Sequence, residues 1–453
     1  MQEMAASSST RLVCGNCSIE WISLARVMAI IMGNGLRRLI ADFQDGQEIN
    51  SPFGAEGLVS MYATRHLVQD VRKPPTLSWL LLGTSSFGAT DLRDRVFALV
   101  SVSSDSRDLG FKPNYRKSVE DVYVESTVSM LTQKSGQIGP LYAAGIGYSR
   151  NLGRLPSWAP DWTAKPSATI LGSVAETAAF SGVKGFQACG TEFGNPSIAF
   201  DAEKLLIKIN CRIIDKVCTI ADPAPRATME FGTARRNELH SSQFAWLMKV
   251  IQLLSSQPFL YSTGEQAFLD VLCRTLIADL DTVVGRPASS SMIPNFLDFF
   301  AVQFFFAKQN KVVEDATIPP RVLERIQTIS TLVNTYMTDG QGLLLSAATL
   351  KAKLGDPPYI PKEVAISAGI FSTAMSTSLG ERRVMMTGGG YIGLAPPLVQ
   401  EDDLLCLIGG SRVPFILRKR TEGGYLLVGE SYVHGLMYGE GMRKGSNEEI
   451  CIY

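Results

Sequence analysis

Histidine is nearly missing. The 453-residue chain holds three, His66, His240 and His434, far apart in sequence. Each reads as a surface or core histidine, which leaves little for a His-centred catalytic or metal site. Cysteine is also sparse: eight in a chain of this length are too few for a disulfide scaffold and read as reduced thiols. Neither sign of charge is in excess, since 43 Lys and Arg balance 43 Asp and Glu. That argues against a nucleic-acid binder or a membrane-surface protein, both of which need a basic surplus. Long apolar runs are lacking too. The greasiest stretches, 22–32 and 296–306, are interrupted by Arg26 and by Asp298 and Gln303, and neither reaches the ~20 residues of a membrane span. Residues 1–10 show no basic region followed by an apolar core, so no signal peptide is read there. The expectation is a cytoplasmic, soluble protein whose 45% hydrophobic residues can bury a sizeable core. At roughly 150 residues per domain, the length allows about three domains or one large domain with insertions.

What is present reads as helices first and strands last. Residues 11–14 form a short apolar strand, Gly15-Asn16 a turn, and Ser18 with Trp21 opens a helical stretch to Gly33. Residues 76–83 are apolar nearly all round, which marks a buried helix. Asp91 stands where it can cap the next helix, with Asp94 in the first turn, and Ser118 with Asp121 repeats the pattern before a third. Between 155 and 162 two prolines and two tryptophans predict a packed, extended connector. Residues 204–213 alternate apolar and polar, the period of a half-buried antiparallel strand. Helical periodicity returns in 244–254, 266–280, 296–307 and 320–336. From 384 to 428 five short apolar runs separated by glycine pairs and triplets predict a small barrel or meander, which the strand near 205–213 is expected to join. The fold class is therefore α+β: a helical lobe followed by a small antiparallel β-barrel or meander domain with a helical insertion.

Chemical motifs are few, and each has a structural explanation. Cys14-Gly-Asn-Cys17 has the spacing of half a zinc site, yet no second ligand pair follows. Gly388-x-Gly390-x-x-Gly393 spells a dinucleotide fingerprint, but Pro396-Pro397 forbids the helix it must open, so it reads as a hairpin turn. Glu401-Asp402-Asp403 reads as an exposed turn, and Phe299, Phe300, Phe304 and Phe305 read as core. No metal or cofactor is called.

A set of longer blocks carries more. These are Asp91-Leu-Arg93-Asp94-Arg95-Val-Phe97; Pro113-Asn-Tyr115 before Ser118; Leu155-Pro-Ser-Trp158-Ala-Pro160-Asp161-Trp162; and Cys273-Arg274-Thr-Leu-Ile-Ala-Asp279. The end adds Arg382-Arg383, Gly390-Tyr-Ile-Gly393, Val413-Pro414-Phe415-x-Leu-Arg418 and Gly429-Glu430-Ser-Tyr432-Val-His434. In this order the blocks resemble fungal heterokaryon incompatibility (HET) domain proteins. Tyr438 departs from the pattern, standing where Asp commonly precedes Gly439-Glu440.

The resemblance implies a role in fungal non-self recognition and programmed cell death, with other incompatibility-pathway proteins as partners. It also implies a TIR-like N-terminal core, of which only the Gln2-Glu3 end is recognisable. Glu3 is then the one catalytic candidate, for cleavage of NAD, and no activity is expected without the rest of that core. On this reading residues 1–50 are a core remnant able to self-associate, 51–165 a helical lobe with its connector, and 166–236 a β segment. Residues 237–380 are a helical insertion and 381–453 the C-terminal β domain. A regulatory protein-binding module is the other reading.

Overall fold

A computed structural model of the chain describes residues 7, 9–33, 65, 75–85, 87–133, 138–164, 169–174, 185–190, 197–225, 233–255, 268–282, 285–309 and 360–453. Glu3, His66 and the helix expected over 320–336 lie outside the described residues.

Arg11–Cys14 (β1) and Cys17–Glu20 (β2) pair antiparallel around Gly15-Asn16, with Gly15 at φ 56°. A two-residue hairpin turn requires such a positive angle. The strand-then-helix reading of this stretch is thus corrected: four more residues extend before the helix starts. Both strands are exposed along their whole length. Helix α1 (Trp21–Gly33) follows directly, and its Trp21 amide donates to the Thr10 carbonyl at 3.0 Å. Trp21 and Ala25 are buried, whereas Val27 is exposed.

Helix α2 (Leu77–Gly83) is buried on nearly every side, as its composition requires, and the Thr76 hydroxyl accepts from the Trp79 amide. Helix α3 (Asp94–Val100) corrects the capping assigned to Asp91. Arg93 occupies the N-cap position without a side-chain bond, and the Asp91 carboxylate instead accepts from the Arg93 amide at 3.0 Å and grips its guanidinium at 2.8 and 2.9 Å. Ser118 does cap α4 (Val119–Thr132), accepting from the Asp121 amide at 3.1 Å. A short helix, α5 (Gly139–Tyr142), leads into the tryptophan connector. That connector is a run of turns, not an extended strand, because Asp161 folds it back by accepting from the amides of Asn151 and Leu152 at 2.6 and 2.8 Å.

Ile198–Asp201 (β3) leads into Leu206–Ile220 (β4), 15 residues long. After β4 come helices α6 (Thr233–Ser255), α7 (Phe268–Leu276), α8 (Met292–Gln309) and α9 (Lys362–Leu379). The chain then forms β5 (Arg383–Thr387), β6 (Ile392–Ala395), β7 (Leu404–Ile408), β8 (Phe415–Lys419), β9 (Tyr425–Glu430), β10 (Tyr432–Val433) and β11 (Ser446–Ile452). Strand β4 organises all of these. It pairs antiparallel with β11 through residues 207–213, with β7 through 211–216 and with β5 through 217–220, shifting register twice on the way. Such bulges bend a strand and let it serve two sheets. From β4 the order β11-β9-β8-β7 returns to β4, which closes a barrel, while β5, β6 and β10 form a second layer on its far half. The strand expected to join from outside the C-terminal run therefore does so, and it supplies the wall that closes the barrel. The 388–390 glycines make the β5–β6 hairpin turn.

The helices pack on one another through aromatic contacts. Phe296 and Phe299 of α8 lie 5.0 and 5.2 Å from Phe371 of α9, and Phe244 of α6 lies 5.3 Å from Phe300. Helix α9 is absent from the sequence reading. Its Ser-, Thr- and Ala-rich composition has too few large apolar residues to show a stripe. One buried cluster runs from Leu77 through the helices to Ile452 of the barrel.

A single buried ion pair ties three segments together. Arg382, just after α9, meets Glu430 at the end of β9 at 2.7 Å, both side chains 1% exposed. Glu430 also accepts from the amides of Leu171 and Gly172 at 2.6 and 2.8 Å, and Arg382 donates to the carbonyls of Ser378 and Thr169. Burial pushes the Glu430 carboxyl up, while Arg382 and the two amides favour its charged form. Glu430→Gln strands a buried guanidinium and should cost about 3–5 kcal/mol in urea unfolding. Adding Arg382→Met should recover at least half of that loss, since both charges are then gone and an acceptor still faces the Leu171 amide.

Candidate functional site

The blocks singled out in sequence occupy four places. Asp91, Arg93, Asp94 and Tyr115 form a knot at the surface. Arg93 donates to the carbonyl of Lys117 at 3.0 Å and lies 5.4 Å from the Tyr115 ring centre, and the Tyr115 hydroxyl donates to Asp94 at 2.5 Å. Tyr115 is 54% exposed.

Trp158, Pro160, Asp161 and Trp162 are buried in the connector. The Trp158 indole donates to the Leu205 carbonyl at 3.2 Å, and Ser157 beside it accepts from the Leu427 amide of β9 at 2.9 Å. Arg95 joins this group to the first, donating to the Trp162 carbonyl at 2.8 Å.

The barrel residues have packing roles. A side chain at Gly393 would sit 2.3 Å from the Tyr432 carbonyl of the neighbouring strand. The Pro414 carbonyl accepts from the Ser431 amide at 2.8 Å, and Phe415 stacks on Tyr142 at 5.8 Å. Arg418 holds Asp403 with two bonds of 2.8 and 2.9 Å. Asp403 is 2% exposed, which corrects its reading as part of an exposed acidic turn.

Arg274 and His434 meet in a polar seam between α7 and the barrel. Helix α7 ends in two consecutive left-handed residues, Ala278 at φ 44° and Asp279 at φ 55°. Neither is glycine, so each conformation carries strain of order 1 kcal/mol. The geometry is held by what it aims. Asp279 Oδ1 accepts from Arg274 at 2.6 Å and from the Ala288 amide at 3.1 Å, while Oδ2 accepts from the Tyr438 hydroxyl at 2.9 Å. Arg274 also binds Asp270 one turn back at 2.9 Å. Burial pulls the Arg274 guanidinium down, but the two carboxylates outweigh it and raise it. Burial and then Asp279 push the Tyr438 phenol up. Arg286 donates to the Ala278 carbonyl at 3.0 Å, lies 5.0 Å from the Phe186 ring centre, and is lowered by burial to about 10. His434, with Nδ1 3.2 Å from the Tyr432 hydroxyl, is lowered by burial, and Asp270 and Asp279 oppose that fall.

The seam is built for holding. Asp279 is held by cation, amide and phenol, and through Tyr438 it joins the end of α7 to the loop that follows β10. Among the described residues no group of three or more His, Cys, Asp and Glu side chains could hold a metal ion. His240 is likewise engaged, with Nδ1 2.8 Å from Gln303 Oε1 and its ring stacked on Phe306 at 4.6 Å.

Residues 359–452, from just before α9 to the end of β11, match the Het-6 beta-barrel domain family. That stretch of the barrel is similar to Het-6 barrels. The chain is also similar over its whole length, at 23% identity, to heterokaryon incompatibility protein 6, OR allele, of Neurospora crassa. It spans 65% of that protein's length. No solved structure matches the chain. The resemblance to fungal heterokaryon incompatibility proteins is therefore borne out. The match begins after β4, so the strand that closes this barrel lies about 140 residues upstream of the matched segment.

The sequence reading names Asp279, Arg382, Asp403, Glu430 and Tyr438 within longer runs but assigns none of them an anchoring role. Their signal was a charge or phenol inside an otherwise apolar block, as in Val428-Gly-Glu430. Tyr438→Phe leaves Asp279 Oδ2 unbonded and should lower stability by about 1.5–3 kcal/mol in chemical unfolding. Because His434 titrates lower when folded than its ordinary 6.5, its contribution is intact above that pH and is lost as pH falls below it, where the unfolded chain takes up the proton first. Unfolding midpoints between pH 7.5 and 5.5 should therefore fall less steeply for His434→Gln than for the unaltered chain.

Proposed function

We propose that this chain acts in fungal non-self recognition and the programmed cell death that follows incompatible fusion, as a recognition and scaffolding part without catalytic activity of its own. The observation that carries the reading is the Het-6 barrel match within a chain similar end to end to a heterokaryon incompatibility protein. The geometry supports the second half. The polar residues of the seam, the connector and the Arg382–Glu430 pair are engaged in internal bonds, whereas catalysis needs polar groups aimed at a reacting atom. The surface knot around Tyr115 presents an aromatic ring and fixed charges outward, the composition of a protein contact. Partners are then other proteins of the incompatibility pathway, and the place of action is the cytoplasm. Among the described residues no helix is long and apolar enough to cross a membrane.

Expression in a filamentous fungal host, in strains that are then fused with strains lacking the chain, tests the role. Growth arrest or death in the fused cells is expected, reduced by Tyr115→Ala without loss of the protein. Normal growth of every fusion would overturn the reading. Consumption of NAD by the purified chain would overturn its non-catalytic half.

A further inference from the structure

The hairpin at the start of the described chain sets two cysteines directly across from one another. Cys14 closes β1 and Cys17 opens β2, and the strand register pairs them directly across Gly15-Asn16. Both are exposed, while Cys189, Cys211, Cys273 and Cys406 are buried. Residues flanking a two-residue turn form a hydrogen-bonded pair with Cα atoms about 5.5 Å apart, inside the roughly 4.4–6.8 Å that a disulfide spans. The hairpin also has cause to be cross-linked. Its strands are four residues each and bury no side chain, and an isolated two-stranded hairpin is marginal in water. At its open end Arg11 and Glu20 hold it with an exposed ion pair at 3.0 Å, which contributes little.

We propose that Cys14 and Cys17 are a reversible redox site whose oxidant is a small disulfide of the glutathione class. One thiolate attacks a sulfur of oxidised glutathione and expels one glutathione thiolate, giving a mixed disulfide. The opposed thiolate then attacks the bound protein sulfur and expels the second. Two protein thiols are oxidised, two glutathiones are formed, and the two protons leave to solvent or to the departing thiolates. Oxidation locks the hairpin that carries Thr10, whose carbonyl receives the first amide of α1. Reduction leaves the hairpin to its own weak pairing.

The full chain equilibrated in glutathione buffers and then digested with trypsin tests this. Cleavage after Arg11 and Arg26 releases residues 12–26, which hold both thiols and no other cysteine. The expected product is that peptide short of two hydrogens and resistant to alkylation. Cys14→Ser and Cys17→Ser should each retain a single glutathione adduct on the remaining thiol. The guanidinium-unfolded chain should need a buffer about tenfold more oxidising to close the same bond, because it lacks the register that opposes the sulfurs. Two free thiols, a persistent glutathione adduct on the unaltered chain, or equal closure in the folded and unfolded chains would each overturn the proposal.

Discussion

A buried charge must be paired or it unfolds its surroundings, and the architecture is arranged around that constraint at Arg382 and Glu430. Isolated in a medium that excludes water, either side chain would carry a desolvation penalty of several kcal/mol. Here the penalty is met by bonds that reach three separated stretches of chain: the end of α9, the end of β9 and the turn that begins at Leu171. The pair thus fixes where these three segments meet, which an apolar contact of equal area, being non-directional, specifies less sharply.

The seam beneath α7 follows the same rule with a different penalty. Strain in Ala278 and Asp279 is small beside the bonds that Asp279 makes in that conformation. A left-handed residue points its carboxylate back over the helix end and across to Tyr438, and an α-helical continuation would not. The sequence departure at Tyr438 then acquires a physical meaning. A phenol can donate to Asp279, whereas an aspartate in its place would set two carboxylates against each other.

Much of this was legible in the residues, and the failures have causes. Glycine spacing and alternation located β5 to β9 within a residue or two, because each strand is short, apolar and bounded by turns. The alternation of 205–213 likewise foretold a strand seeking distant partners. Strands β10 and β11 were not legible: β10 is two residues long, and β11 carries Asn447, Glu448 and Glu449 on an otherwise strand-like run. Helix α9 was hidden by its small residues. Asp91 looked like a cap because its spacing is right, but an arginine two residues on competes for the same carboxylate and wins. For the site, order in sequence showed which blocks matter together, yet it could not show that the decisive contacts run between blocks, as Asp279 to Tyr438 and Arg382 to Glu430 do, across 159 and 48 residues.

The placement of the helical insertion follows from strand β4. A barrel that takes one wall from far upstream leaves the intervening helices to pack beside it, and α7 meets β6 while α8 packs between α6 and α9. Insertions of this kind are usually free to drift, since loop closure grows only slowly more costly with length. This one is fastened at both ends: by β4 entering the barrel wall, and by Arg382 leaving α9 to meet Glu430. Between those ends α7 is pinned again by Asp279. A partner that displaced α7 or the end of α9 would have to break the Asp279–Tyr438 bond or the Arg382–Glu430 pair. Coupling between insertion and barrel is therefore a consequence of how the charges are buried.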